Sequence, residues 1–387
     1  VIRQNFRTML SEECIFLGTL ILWGYIRSLN PQILGLEKFM DFGFINSILN
    51  SRYMPPADPW FSGHPINYYY FGHFMYAWLT RLTGTYPAIA YNLSISTIFA
   101  FTFTMAYSFT ANLVFIRQDI YAKYHRIAGI ISAILLSLGG NLYTAVYGFA
   151  IPVLKFFGVY KGNYSSYYAN ATRFVGFFPK TSDKLITEFP SYSFVVADLH
   201  AHVMSIPLTL TILALCLAGM LQKETHSRIC ILLWTAFILS VSSITNTWTL
   251  ATGTLLICIT FGIAQWKDSK KLRQGILAFV LSGTVLCLIT ALLTLPFQMH
   301  FKNFSYGIRF SHTQTPFWQL LVLWGYQLFI AAWFFIVLQI KKRKSEYSFT
   351  VSDYIILAFI LCALILITIP EFVYVKDIYD YSYRRAN

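Results

Sequence analysis

The chain has 387 residues, of which 56% are hydrophobic and only 12% are charged. Soluble domains carry about 25% charged residues, so this composition excludes an ordinary soluble protein and indicates a helical membrane protein. The net charge of +13 does not indicate nucleic-acid binding, because most of the cations lie in short segments between apolar stretches.

Ten apolar stretches follow one another along the chain. Nine of them are predicted to cross the bilayer, at 14–29, 86–115, 127–150, 194–221, 229–245, 248–265, 275–296, 316–340 and 353–370. The tenth, 66–82, is short and aromatic, which is typical of a helix in the headgroup layer. We therefore predict an all-α polytopic transmembrane helical bundle with about nine spans and one interfacial juxtamembrane helix.

The positive-inside rule gives this layout an orientation. With 66–82 at the surface, the basic connecting segments all fall on one side, which is then cytoplasmic. The loops 30–85 and 151–193 are predicted to be extracytoplasmic.

We expect a single integral membrane domain over 1–387. The chain begins with Val1 and ends in RRAN, so we expect a fragment of a longer protein.

The loop after the first span, 30–85, carries most of the reactive side chains. Glu37 and Asp41 lie four residues apart, so on a helix both face the same way. Asp58 lies in PPADPW, where an Asp before Pro commonly organises a turn. A further group stands in HPINYYYFGH and comprises His64, Asn67, Tyr68, Tyr69, Tyr70 and His73. Such residues bind sugars, although an aromatic belt at the headgroups has the same composition.

A second constellation stands in EFPSYSFVVADLHAHV, which Glu188 opens. Ionisable groups inside a span are costly and usually mark function. If 194–221 is one helix, Asp198 and His202 share a face and His200 points elsewhere. The three side chains can bind a divalent metal ion together with one more acid. The alternative is a buried hydrogen-bonded triad that ties helices together.

Five motifs carry a family resemblance. They are GLEKFMDFGFINSIL at 35–49, PPADPWFSG at 55–63, INYYYFGHF at 66–74, ITEFPSYSFVVADLHAHVMSIPL at 186–208 and NTWT at 246–249. On these motifs the chain is identified as a member of the YYY membrane-protein family, uncharacterised polytopic proteins with a Tyr run. The first loop runs from an acid through a helix and a Pro-Trp turn to an aromatic helix. That order resembles the GT-C superfamily of membrane glycosyltransferases.

The GT-C resemblance implies a function. Such an enzyme moves a sugar from a polyprenyl-phosphate donor to an acceptor on the extracytoplasmic face, here of the plasma membrane. Glu37 falls at the place of the first acid of the usual pair, Lys38 occupies the second place, and Asp41 lies one turn further on. A carboxylate must take the acceptor's proton, a role expected of Glu37, Asp41 or Asp58. The expected partners are the lipid bilayer and a polyprenyl-phosphate-linked sugar, with no nucleic acid.

The departing phosphate needs cations, because its negative charge grows in the transition state. Arg309 in SYGIRFSH and the pair Arg384 and Arg385 in DYSYRRAN are the expected phosphate ligands, unless they are solvated loop residues. Trp248 is expected to line the floor of the cavity that binds the substrate, or else to cap a helix. The alternative function is a transporter or flippase of a lipid-linked or anionic substrate, which should have broken helices. Charge concentrated in outer loops favours the enzyme.

Overall fold

A computed structural model describes residues 2–117, 122–181, 184–303, 305, 307–343, 348–376 and 385–386, the last two and 2–5 as backbone only. Within these residues the regular secondary structure is helical apart from four strands of two or three residues. The predicted all-α class is therefore confirmed. The likeness of the bundle to GT-C enzymes stays a prediction.

The helices and strands have the following bounds. Those of the first half are α1 Ile2–Ser28, α2 Lys38–Asn50, α3 Phe71–Thr83, α4 Pro87–Phe115, α5 His125–Leu138, α6 Tyr143–Ala145, a π-helix Val146–Ala150 and α7 Ile151–Phe156. Two 3₁₀ turns lie at Ala122–Tyr124 and Tyr168–Ala171. The second half holds β1 Leu185–Ile186, α8 Pro190–Val196, α9 Ala201–Met204, α10 Ile206–Leu221, α11 Thr225–Thr245, α12 Trp248–Ser269, α13 Leu272–Gln298, β2 Ile308–Phe310, α14 Phe317–Arg343, α15 Val351–Phe372, β3 Val373–Val375 and β4 Arg385–Ala386.

Eight helices are long and apolar enough to cross a membrane within the described part of the chain. They are Phe6–Ser28, Pro87–Phe115, Ala201–Leu221, Thr225–Thr245, Trp248–Ser269, Leu272–Gln298, Phe317–Arg343 and Val351–Phe372. A bent pair, Ala122–Leu138 and Tyr143–Phe156, makes a ninth if it is one span. The prediction of about nine spans is confirmed at this level.

The predicted continuous helix over 127–150 is wrong. Its two halves are bent by 82° at a short break between Leu138 and Tyr143. The break contains Gly139, Gly140 and Asn141, and two adjacent glycines make a helix interior unfavourable. The N–H of Tyr143 donates to Asn141 Oδ1 at 3.0 Å, so the second half has its own start.

The predicted continuous helix over 194–221 is also wrong. Helix α8 ends at Val196, and Ala197 has a positive φ of 58°, which an alanine rarely adopts. Three extended or turn residues follow before α9 begins at Ala201. This link at 197–200 places Asp198 and His200 outside any helix.

The helix predicted at 66–82 begins later, and α3 has 13 residues. At 1.5 Å per residue it is about 20 Å long, too short to cross a bilayer of about 30 Å. It ends at Gly84, whose φ of 64° suits a residue without a Cβ. Its position at the membrane surface and the outward side of the loops 30–85 and 151–193 stay predictions.

The described residues form two compact units. Unit 1 comprises 1–137, 193–302 and 350–359, and unit 2 comprises 138–192, 303–349 and 360–387. Each unit is assembled from three separate segments of the chain. The single integral domain predicted from the sequence stays a prediction.

The core of unit 1 supports the 197–200 link. Trp23 stacks on Phe99 with ring centroids 4.0 Å apart, and Phe194 meets Phe99 edge-on at 5.1 Å. Ala197 and Leu199 are fully buried in the same cluster. Buried aromatic contacts of this kind contribute about 0.5–1.5 kcal/mol each beyond area burial, so the link has a well-packed base.

Unit 2 has its own core, which includes Tyr143, Phe174 and Leu323. Strand β2 pairs antiparallel with β3, and β1 pairs parallel with β4. Near the β2–β3 pair, the buried Glu371 accepts hydrogen bonds from the backbone N–H and hydroxyl of Thr315 at 2.7 and 2.8 Å.

Candidate functional site

Five acidic and histidine side chains of unit 1 meet at the ends of three segments. We call Glu37, Asp41, His73, Asp198 and His200 the acid–histidine cluster. The first two stand at the start of α2, His73 in the first turn of α3, and the last two in the 197–200 link. Residues of the first loop thus meet residues that lie about 160 positions later in the chain.

The contacts within the cluster are short. His73 Nε2 is 2.8 Å from Asp41 Oδ1, and His200 Nδ1 is 2.8 Å from Glu37 Oε2. The same His200 nitrogen is 3.9 Å from Asp41 Oδ1. The backbone N–H of Glu37 donates to Asp198 Oδ2 at 3.4 Å. The first-loop acids Glu37 and Asp41 therefore lie beside Asp198 and His200 in the structure.

Local backbone geometry brings these groups together. Gly35 and Leu36 both have positive φ, 81° and 48°, so the chain turns sharply just before α2. In the opposite segment, the N–H of Leu199 donates to the Tyr91 hydroxyl at 3.0 Å. That bond fixes the link against α4 and holds the residues on either side of Leu199 toward α2.

The two aspartates of the cluster are unusual acids. Burial raises the pKa of Asp41 to about 7, because the charged form loses its water, although His200 opposes the shift. Burial likewise raises the pKa of Asp198 to about 7, and the neighbouring Asp41 adds to it. Asp41 Oδ2 and Asp198 Oδ1 are both buried, and the two carboxyl groups interact. A carboxyl pair of this kind shares one proton near neutral pH.

The two histidines differ in charge. Burial lowers the pKa of His73 to about 3, so its ring is neutral beside Asp41. Burial also opposes the charge of His200, but the hydrogen bond to Glu37 and the carboxylates of Asp41 and Asp198 raise its pKa to about 9. His200 is thus an imidazolium at neutral pH. Its other nitrogen, Nε2, is 3.0 Å from the hydroxyl of Tyr68.

His202 borders this set and acts electrostatically on Asp41. Its Nε2 is 3.2 Å from Ser193 Oγ, and its ring centroid is 5.2 Å from that of His200. Within the residues that the structure describes, no three His, Cys, Asp or Glu side chains are arranged to hold a metal ion. The metal role predicted for Asp198, His200 and His202 stays a prediction. In the structure, the break before α9 turns His200 toward Glu37, whereas His202 lies in α9.

Asp58 and His64 occupy the Pro-Trp turn of the first loop. Asp58 Oδ1 accepts hydrogen bonds from the N–H groups of Trp60 and Phe61 at 2.8 and 2.9 Å. These bonds are those of an Asx turn, the alternative role for Asp58. His64 is exposed, and its ring stacks on Phe61 at 4.3 Å. Among the described residues, no hydrogen bond, ion pair or ring contact joins Asp58 or His64 to the acid–histidine cluster.

Of the aromatic run, Tyr68 reaches the cluster most directly. The ring of Tyr69 lies against that of Tyr68, with centroids 4.1 Å apart and planes tilted by 31°, and burial raises the pKa of both phenols. Tyr70 precedes α3 and lies 5.7 Å from the ring of Phe297. Trp248, at the start of α12, is 52% exposed, and its backbone N–H donates to Asn246 Oδ1 at 3.3 Å.

Asn67 reveals a contact that the motif does not predict. Its amide donates to the carbonyl of Lys302 at 3.0 Å, and the N–H of Lys302 donates to Asn67 Oδ1 at 2.8 Å. The two bonds fix the backbone that carries the exposed Lys302 beside the residue preceding Tyr68.

Several predicted residues fall in unit 2 or outside the described residues. Glu188 lies just after β1 and is half-buried, and Arg309 lies in β2 and is exposed. Arg385 is described only by its backbone in β4, and Arg384 lies outside the described residues. Their expected roles in binding substrate and phosphate stay predictions.

Two further cations, Lys38 and Arg27, stand close to the cluster. Burial lowers the pKa of Lys38, Arg27 lowers it further, and Asp198 raises it. In the sequence, Lys38 is marked by its place directly after Glu37 where a second acid is expected, and Arg27 by its place at the end of an apolar run. The sequence contains no signal for Tyr91, which lies within a continuous apolar helix.

The cluster can carry out acid–base chemistry. It combines a carboxylate on an exposed side chain, an imidazolium that holds it, and a buried carboxyl pair whose pKa lies near physiological pH. A general base acts best when its pKa is close to the working pH. Perturbed acids that meet at one site are typical of functional centres.

Comparison with known proteins identifies the family. The model of the family "Uncharacterized membrane protein (DUF2298)" matches residues 2–360. No curated protein and no solved structure matches the chain. Because the family match spans most of the chain, and because its helices are long and apolar enough to cross a bilayer, the protein is an integral membrane protein that belongs to the DUF2298 family of uncharacterized membrane proteins.

Proposed function

We propose that the protein is a GT-C-like membrane glycosyltransferase. It moves a sugar from a polyprenyl-phosphate donor in the plasma membrane to an acceptor on the extracytoplasmic face. One observation carries the proposal: the Glu37 side chain is 58% exposed, yet its carboxylate is held 2.8 Å from His200. An exposed carboxylate of fixed orientation suits a base that must meet an incoming acceptor.

The transfer step assigns a role to Glu37. The acceptor hydroxyl attacks the anomeric carbon of the sugar, and Glu37 takes the hydroxyl proton as the new C–O bond forms. The bond between the anomeric carbon and the phosphate oxygen breaks, and the polyprenyl phosphate leaves with the electron pair. Glu37 then releases its proton to water. The imidazolium of His200 keeps Glu37 ionised before the step because it favours the carboxylate form.

The other members of the cluster position this base. Asp198 accepts the N–H of Glu37 and so holds the start of α2. Asp41 lies between His73 and His200 and is fully buried, which prevents direct contact with an acceptor. Its proximity also stabilises the charge on His200. In this mechanism Asp41 and Asp198 are positioning residues, and the adjacent rings of Tyr68 and Tyr69 offer aromatic surfaces for a sugar ring.

A transporter or flippase of a lipid-linked or anionic substrate is the second candidate. The observation that favours it is the 82° bend between α5 and α6, because broken helices are typical of substrate sites in transporters. A flippase moves the lipid-linked sugar intact, whereas a transferase releases the carrier. The fate of the carrier lipid therefore separates the two functions.

The test uses the purified protein in lipid vesicles with a panel of undecaprenyl-phosphate-linked hexoses labelled in the sugar, together with membrane-extract acceptors. We expect release of free undecaprenyl phosphate with transfer of the label, and loss of both in Asp198→Asn. The flippase reading predicts protein-dependent movement of intact labelled lipid between leaflets. Movement without any carrier release across the panel would contradict the proposed transferase.

A further inference from the structure

Arg27 is a buried cation at the end of the first membrane-spanning helix. It lies in the last turn of α1, one residue before the end of the candidate span Phe6–Ser28, and is 7% exposed. Its Nε and Nη2 groups donate to Asn92 Oδ1 at 3.2 and 2.7 Å. A guanidinium has five N–H donors, so one amide oxygen satisfies only part of it.

The partner Asn92 is held in one orientation. Its Nδ2 group donates to the carbonyls of Pro31 and Ala88, both at 3.0 Å. Oδ1 must therefore point toward Arg27. The contact joins α1 to α4, but an amide oxygen is uncharged and does not neutralise the guanidinium. Burying an uncompensated charge is costly unless a counter-charge is supplied.

Two other arginines of unit 1, unlike Arg27, form ion pairs with aspartates. Arg117 pairs with Asp353 at 2.7 Å, and Arg228 pairs with Asp268 at 2.6 Å. Within the described part of the chain, Arg27 forms no such ion pair. Of these three arginines at helix ends, Arg27 is thus the one for which the described residues provide no carboxylate partner.

Lys38, at the start of α2, is a second positive charge within electrostatic range of Arg27. Arg27 lowers the pKa of Lys38, which means that the two cations repel each other, while Asp198 partly offsets that repulsion. An anion between two mutually repelling cations gains attraction from both and removes their repulsion. Phosphate fits this need, because a planar guanidinium binds two phosphate oxygens at once.

We infer that Arg27 and Lys38 bind the phosphate group of a polyprenyl phosphate at the outer end of α1. The inference rests on the proposed function and names the residues that hold its leaving group. A lipid phosphate is favoured over a free one because Arg27 lies at the end of a membrane span, at the level of lipid headgroups. The lipid-facing Leu17, Ile21 and Leu22 of α1 are each more than half exposed, so an isoprenoid chain has an apolar surface below the cations.

The position also suits the chemistry. Lys38 directly follows Glu37, the proposed base, and is influenced by Asp198 of the same cluster. A phosphate held by Lys38 would therefore lie beside the base that acts on the acceptor. Cations so placed stabilise the negative charge that develops on the departing phosphate.

The test measures binding of undecaprenyl phosphate, without sugar, to the full chain in nanodiscs. The main variant is Asn92→Asp, which keeps Arg27 in place and gives it a carboxylate partner. We expect binding to weaken about tenfold or more, because the internal ion pair replaces the external one. Arg27→Lys keeps the charge without the fork and should bind with intermediate affinity.

The matched control is Asn112→Asp, the same substitution on the same helix α4, where Asn112 is exposed and donates to the Ser108 carbonyl. It should bind like the wild type. Thermal unfolding identifies any variant that is not folded. If Asn92→Asp is not folded, the affinity of Arg27→Lys for undecaprenyl phosphate decides instead. Unchanged binding in folded Asn92→Asp would overturn the inference. Equal affinity for phosphatidylglycerol, or displacement by millimolar inorganic phosphate, would also overturn it. Since no sugar transfer is measured, these outcomes are independent of the proposed transferase activity.

Discussion

Glu37 and His200, which lie 163 positions apart, form an ion pair in which Glu37 Oε2 is 2.8 Å from His200 Nδ1. Glu37 is 58% exposed at its side chain and His200 is 19% exposed, so the pair stands at the boundary between the buried cluster and its surroundings. The pair connects the first loop to the link before α9. It also gives an exposed carboxylate a fixed direction, which the proposed function requires.

His200→Gln should remove stability in a pH-dependent way. The pKa of His200 is raised from 6.5 to about 9, so its charge stabilises the native state fully below about pH 6.5. That contribution is lost as the pH rises through about 9. The difference in unfolding free energy between wild type and variant should therefore shrink between about pH 6 and pH 10. Thermal unfolding in detergent measures it, with His64→Gln as the control for an exposed, unpaired ring.

A difference that stays constant over this pH range would contradict the assigned charge on His200. His64 is chosen because its exposed ring stacks on Phe61 and lies outside the acid–histidine cluster. Its replacement should change stability by less than about 0.5 kcal/mol, as surface substitutions usually do.

Asp41→Asn should depend on pH in the same direction, because the pKa of Asp41 is also raised in the native state. The pKa of Asp41 is raised from 3.8 to about 7, so its protonated form stabilises the native state fully below about pH 3.8. That stability is lost as the pH rises through about 7. Relative to wild type, the isosteric variant should gain about 1–3 kcal/mol between pH 4 and pH 8. Unfolding free energies at the two pH values measure this gain, and an equal difference at both would show that Asp41 ionises normally.

His73 should be needed for its hydrogen bond and not for its charge. His73→Ala leaves Asp41 Oδ1 without its 2.8 Å partner and should cost about 1–3 kcal/mol. His73→Gln retains a donor and should recover part of that loss. Chemical denaturation of the two variants gives the comparison. If the glutamine variant were as unstable as the alanine variant, packing alone and not the hydrogen bond would account for His73.

The loop 30–85 should lie wholly on the extracytoplasmic side. Single cysteines at His64 and Tyr86, both exposed, should react with an impermeant maleimide from outside intact cells. A cysteine at Lys223 should react only after permeabilisation, because the basic segments are predicted to be cytoplasmic. The background needs the six native cysteines replaced, since three of them are exposed. Labelling of positions 64 and 86 from opposite sides would refute this topology.

The sequence predicts the apolar architecture well because that signal is averaged over many residues. Runs of about 20 apolar residues need no fine detail, and the span count and helical class follow from them. Breaks are harder to predict. Gly139 and Gly140 are a local signal that the apolar run over 127–150 conceals. Ala197 is harder still, because alanine is the best helix former and its positive φ comes from tertiary packing.

The candidate site follows the same division. Glu37, Asp41, Asp198 and His200 are recognisable because ionisable groups beside apolar spans are costly and usually functional. Their pairing depends on the turn at Ala197, so the helical face predicted for Asp198 and His202 is wrong. The role of Asp58 in a turn follows from its sequence as an alternative. The phosphate-binding role proposed for Arg27 cannot be predicted from the sequence, because it depends on which side chains surround the guanidinium in the folded chain.

The central claim is that Glu37 is the base of a sugar transfer reaction. The most direct measurement is the turnover of Glu37→Gln with an undecaprenyl-phosphate-linked hexose that the wild type uses. Glu224→Gln is the control, because Glu224 is an exposed carboxylate directly before α11 that accepts a local hydrogen bond from the Ser227 hydroxyl. We expect Glu37→Gln to lose about 10²–10⁴ in rate while its thermal stability changes little, and Glu224→Gln to retain wild-type turnover. Wild-type turnover in folded Glu37→Gln would contradict the claim.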